Sequence, residues 1–146
     1  MTAQEIISFL RLAPHPEGGY YRQTWAANNK PRPTGTCIYF LLKDGEASHW
    51  HKVDATEIWH YYAGAPLTLS LSETDNGPAN DLVLGPDLLE GQEPQLVVPE
   101  NYWQAASTQG EWTLVGCTVS PGFQFTGFTL ASEGFDIPRA APFKPS

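Results

Sequence analysis

The sequence predicts an all-β chain, a sandwich or barrel of eight or nine short strands behind one short N-terminal helix. Short runs rich in β-branched and aromatic residues recur along it, separated by Gly, Pro, Asn and Asp. Aromatic residues make up 12% of the chain, and they suit pleated surfaces and pocket walls better than helix faces. The regular spacing of the strands argues against alternating strand–helix units.

Thr2-Ala3-Gln4-Glu5 has the form of a capping box, with Thr2 as N-cap and Glu5 reaching back. Ile6, Ile7, Phe9 and Leu10 follow at helical spacing, giving a helix over about residues 3–12 that Pro14 and Pro16 end. Gly19 to Trp25 reads as a strand, and the segment 28–34, with Pro31 and Pro33, as a loop. Thr36 to Lys43 is almost continuously apolar, as expected when both faces are covered. Asp44-Gly45 signals a turn. Thr56 to Tyr62 and Leu67 to Leu71 follow; Leu67, Leu69 and Leu71 alternate with Thr68 and Ser70. After a polar turn at Asn76 to Asn80 come strands at Asp81–Leu84, Gln95–Val98, Tyr102–Ser107 and Trp112–Val119. Beyond Ile137, Pro138, Pro142 and Pro145 point to an extended surface tail. The whole chain, 1–146, reads as one domain with its barrel over about 18–131.

At 146 residues and 41% hydrophobic the chain can build a real core, and its 16% charged residues argue against disorder. The net charge of −8 and the scatter of its Lys and Arg disfavour nucleic acid and anionic membrane surfaces as partners. No apolar run approaches a bilayer span, and Glu5 sits where a signal peptide needs an apolar stretch, so a cytoplasmic location is expected. Cys37 and Cys117 lie in apolar runs and read as buried thiols, with a disulfide left open.

Three of the four histidines, His49, His51 and His60, fall within twelve residues. On a strand His49 and His51 share a face, and two imidazoles on one face can bind a transition metal. Glu57, on a neighbouring strand, would complete a two-His, one-carboxylate set suited to Fe, Mn, Ni or Zn. The plain alternative is a polar strand face. His60 is out of phase with Glu57 and Trp59 and should face the other side, and His15, in a Pro-rich loop, reads as structural. Trp59 and Tyr61 share the face of Glu57 and form either an aromatic pocket wall or ordinary core. Gly18-Gly19 allows close backbone approach, so Glu17, Tyr21 and Arg22 could reach a pocket mouth; otherwise this is a plain turn. Pro121-Gly122-Phe123 reads as a turn with a packing anchor.

Gly45, His49-Trp50-His51, Glu57 and Gly64 resemble the first cupin motif, though the gaps before His49 and before Glu57 differ from the motif's. Pro99-Glu100-Asn101-Tyr102-Trp103-Gln104 resembles the second, with Asn101 for its glycine and Gln104 for its histidine. Asn tolerates a left-handed turn, whereas an amide oxygen is a poorer transition-metal ligand than imidazole. Together with His15-Pro16-Glu17-Gly18-Gly19-Tyr20-Tyr21, the stretch 54–62, Gly64 to Leu67, Leu84-Gly85, Val98-Pro99 and the stretch 114–123, these blocks resemble the DUF985, or cupin-5, family.

That resemblance implies a double-stranded β-helix, the jelly-roll cupin barrel, paired as a homodimer. It implies a small-molecule ligand but no particular reaction. One expectation is an isomerase- or epimerase-like or metal-assisted enzyme acting on a sugar-like or cyclic metabolite. His49, His51 and Glu57 are then catalytic; Glu17, Tyr21, Arg22, Trp59, Tyr61 and Gln104 line the pocket; and any divalent metal sits on His49, His51, Glu57 and Gln104. The alternative is a protein that binds a nucleobase- or hormone-like ring without turnover. A storage role ranks last, because the chain is short and not rich in amides.

Overall fold

The computed structural model describes residues 1–140. The capping box forms: Thr2 Oγ1 accepts the Glu5 N–H at 3.1 Å and Glu5 Oε1 accepts the Thr2 N–H at 3.0 Å. Helix α1 spans Ala3–Leu10 and stops before the prolines, because Arg11 takes a left-handed conformation (φ 55°). Ile6 of α1 and Leu12 pack with Leu41.

Eleven strands follow: β1 (Ala13–Pro14), β2 (Tyr20–Ala26), β3 (Thr36–Lys43), β4 (Ala47–Val53), β5 (Thr56–Gly64), β6 (Leu67–Ser72), β7 (Asn80–Leu84), β8 (Gln95–Val98), β9 (Trp103–Thr108), β10 (Trp112–Ser120) and β11 (Phe128–Leu130). They form two antiparallel sheets, β1-β2-β3-β10-β5-β8 and β11-β4-β9-β6-β7. This is the expected double-stranded β-helix with one short helix. The two-residue β1 and three-residue β11 have no clear sequence signal. The continuous apolar run of β3 is explained by cover on both faces. Phe40 and Leu42 join the barrel core, while Leu41 lies under α1.

That core fills one end of the barrel. Trp59, Phe40, Leu42, Leu67, Leu69, Leu84, Leu96, Val98, Val115 and Cys117 all pack into it, and the alternating leucines of β6 point inward as their period requires. The other end stays open. Outside the second sheet, the segment after β11 folds back. Ile137 is fully buried with Trp50 and Ala79, and Arg139 lies over the Trp50 ring, 5.4 Å from its centroid. Of the expected surface tail, Pro142 and Pro145 lie outside the described residues. Cys37 and Cys117 are free thiols. Among the described residues no helix is long and apolar enough to cross a membrane.

Candidate functional site

The site begins with the two glycines before β2. Gly18 (φ 109°) lies so close to β4 that a Cβ there would sit 2.1 Å from the Ala47 carbonyl oxygen. Only glycine permits that approach. It sets the Glu17 carbonyl to accept the His49 N–H at 2.7 Å, which pins the Glu17 side chain inside the barrel mouth. Ser48 Oγ donates to Glu17 Oε2. Burial pushes the Glu17 carboxyl up to about 8, opposed by that hydroxyl, so at neutral pH it carries a proton.

β4 carries a bulge. Ser48 pairs with Ala106 and His51 with Gln104, so His49 and Trp50 together face Ala105. Two residues opposing one reverse the side-chain phase. Ser48 and His51, three apart, therefore both point inward, and His49 turns outward, with its Nε2 2.9 Å from the Ser132 carbonyl. His51 is 1% exposed. Its Nδ1 lies 2.7 Å from the His49 carbonyl oxygen. A carbonyl can only accept, so Nδ1 holds the proton and Nε2 keeps its lone pair. That Nε2 lies 3.5 Å from Glu17 Oε1. Burial lowers the His51 pKa, opposed by the Glu57 charge, and the ring is neutral at pH 7.

Glu57, on β5, is buried beside these groups. Its carboxyl is raised to about 7, first by burial; the His51 charge opposes the rise and the Glu17 charge adds to it. Gln104 Nε2 donates to Glu57 Oε1 at 2.9 Å, while Gln104 Oε1 accepts the Trp59 indole N–H at 2.8 Å. An indole N–H can only donate, so Trp59 fixes which end of the amide faces the acid. Gln104 presents hydrogens to the site, with its oxygen turned away.

His15 completes the cluster. Its Nδ1 accepts the Glu17 N–H at 3.1 Å, which places its proton on Nε2. Its ring is 4.5 Å from Tyr21 and within 6.4 Å of Phe123, Phe125 and Phe128. Burial drops its pKa to about 4, so it is neutral.

Above these groups lies a cavity of about 220 Å3, walled by Tyr21, Ile38, Val53, Val119, Phe123 and Phe125. An engineered cavity of about 150 Å3 holds benzene, so the space suits one substituted ring.

The structure brings together Glu17, Tyr21, His51 and Glu57 around this cavity. It separates others. His49 is carried outward by the bulge. Arg22 points away, its Nε donating to the Leu10 carbonyl at 2.7 Å and its guanidinium over Tyr39. Trp59 and Gln104 stand behind Glu57 and act through it. Tyr61 packs against the filled end of the barrel and donates its hydroxyl to the Gly64 carbonyl at 2.6 Å. His60 faces outward, as its phase requires, with Nε2 3.2 Å from Thr118 Oγ1. Sequence reasoning missed Ser48 and left His15 and Phe123 as packing residues. For His15 the signal was its place two residues before Glu17, in the same glycine turn. For Ser48 there was none, because its inward direction depends on the bulge.

A family model described as the cupin superfamily (DUF985) matches residues 4–131. The chain belongs to this cupin family. Protein SO0799 from Shewanella oneidensis is 38% identical, with a TM-score of 0.85, and the match covers 90% of this chain and 85% of that one. A hypothetical protein from Leishmania major is 30% identical, with a TM-score of 0.83 over 92% and 90%. Oxalate decarboxylase from Bacillus subtilis is 13% identical, with a TM-score of 0.62 over 80% of this chain and 29% of that one, and shares the fold alone. No curated protein matches the chain.

That decarboxylase has Mn(II) centres. The residues of this cupin do not fit the metal set read from its motifs. Of the four expected ligands, His49 is outside the cavity and the Gln104 oxygen is held by Trp59, leaving His51 and Glu57. Among the described residues no group of three or more His, Cys, Asp or Glu side chains is placed to hold a metal ion.

Proposed function

We propose that this cupin binds a small cyclic metabolite at its barrel mouth and moves a proton on it, as an isomerase that uses no metal. One observation carries the reading. An imidazole nitrogen with a free lone pair, His51 Nε2, lies 3.5 Å from the carboxyl of Glu17, which burial keeps protonated. Base and acid stand side by side, with Glu57 poised near neutrality beside them. Groups tuned to titrate near the working pH are the most effective for proton transfer.

In this reading His51 Nε2 takes a proton from a carbon or heteroatom of the guest, and Glu17 returns one to a neighbouring atom. The charge left on Glu17 faces the imidazolium, and a proton passing from His51 to Glu17 restores the starting state. Because both groups lie on one side of the guest, the arrangement favours a shift along one face of the ring over an epimerisation that needs groups on both faces. His49, outside the cavity, has no role in it.

Binding without turnover is the second reading, favoured by the aromatic wall of Tyr21, Phe123 and Phe125. NMR in D2O separates the two. Pooled cyclic metabolites incubated with the protein should exchange specific C–H or N–H positions, and His51→Asn should stop the exchange while the fold is retained. Binding without His51-dependent exchange would leave the binder. No binding by any ring would remove both readings.

A further inference from the structure

The cavity's charge inventory is one-sided. Its lining holds two carboxyls, Glu17 and Glu57, and no Lys or Arg. Nearby cations are committed elsewhere. Arg22 is held on the Leu10 carbonyl and the Tyr39 ring. Arg32 grips Asp54 through two nitrogens at 2.7 and 3.1 Å. Lys52 lies over Trp103, 5.0 Å from the ring centroid. Two backbone donors of the lining are spent as well. The Glu17 N–H goes to His15, and the Phe123 N–H goes to Thr36 Oγ1 at 2.9 Å. Both histidines of the cavity are buried among aromatic rings, which disfavours their charged forms. Nothing in the cavity can neutralise an anion, and the chain as a whole carries −8.

Resting on the small-molecule reading above, we propose that the pocket takes single-ring guests without an anionic group and rejects their phosphorylated or carboxylated counterparts. A phosphate or carboxylate entering the mouth would lose its water, find no cation, and stand close to two acids that its own charge would force to stay protonated. A ring bearing hydroxyl, carbonyl or amide groups meets none of these penalties. It finds an acceptor in His51 Nε2 and donors in the protonated Glu17 carboxyl and the His15 Nε2–H. The cavity itself holds about one ring.

The test uses matched pairs on the full chain: benzamide against benzoate, phenol against phenyl phosphate, and a free hexose against its 6-phosphate. Binding is measured by ligand-observed NMR and titration. The uncharged member of each pair that binds is expected to bind at least about tenfold tighter, and the gap should widen from about pH 6 to about pH 9 as the acids ionise. Glu57→Gln and Glu17→Gln, each checked by thermal melting, should narrow it; one folded variant suffices. Anionic members binding as tightly as their partners, or a gap unchanged in a folded variant, would overturn the proposal while leaving the pocket a binding site. If no member of any pair binds, the small-molecule reading falls with it.

Discussion

Replacing Glu17 with Gln should make the protein more stable above neutral pH. In the unfolded chain this carboxyl titrates near 4.5, and burial in the barrel mouth raises it to about 8. A raised acid means that the folded state holds a proton the unfolded state has released, so stability falls as pH rises through that interval. The buried histidines act with the opposite sign. His15 falls from 6.5 to about 4 and His51 is also lowered, so they add stability as pH rises, up to about 6.5. The two effects oppose each other in mild acid. Between pH 6.5 and 8 the carboxyls act alone, and Glu17 by itself should lower stability by about 2 kcal/mol, at 1.36 kcal/mol per pKa unit; Glu57, raised to about 7, adds to the lower part of that window. The Gln amide can accept from Ser48 and donate toward His51, reproducing the protonated acid without its titration. At pH 8 the variant should be more stable by about 2–4 kcal/mol, a rise of roughly 5–10 °C in Tm for a chain of this size. Near pH 4 the two proteins should melt together. Scanning calorimetry from pH 4 to 8.5 measures both curves. A wild-type Tm that is flat or rising between pH 6.5 and 8, or a Gln variant no more stable at pH 8, would refute the protonated, buried Glu17.

Three further outcomes follow from the same geometry. Trp59→Phe removes the donor that holds Gln104 Oε1 at 2.8 Å; it should cost about 1–3 kcal/mol in denaturant unfolding and shift the Glu57 titration read by NMR. Gly18→Ala meets the Ala47 carbonyl at 2.1 Å from a positive φ, so it should lower stability by more than about 1 kcal/mol and weaken ligand binding by displacing Glu17. His49→Ala should leave ligand binding within a few-fold of wild type by titration, because its ring faces Ser132 outside the cavity.

The strand content was legible because packing here obeys simple periods. The alternating leucines of β6 and the double-faced run of β3 both found the environments their patterns called for. Asn101 takes a positive φ of 64° where the motif has glycine, as its short side chain allows. What failed was phase. One extra residue in β4 reversed the direction of everything before it, so that His49 and His51, two apart in sequence, face opposite ways. A bulge leaves no reliable mark in residue type. Orientation of the Gln104 amide was equally unreadable, because it depends on an indole on another strand. His15 and Phe123 looked like packing residues because they are packing residues, whose exposed faces happen to border the cavity.

Plugging the barrel at one end has a consequence for traffic. Phe125 lines the cavity and is 55% exposed, so on the reading proposed above a guest would come and go beside this ring. A ligand anchored on His51 would have room to grow outward beside that phenyl ring, toward solvent.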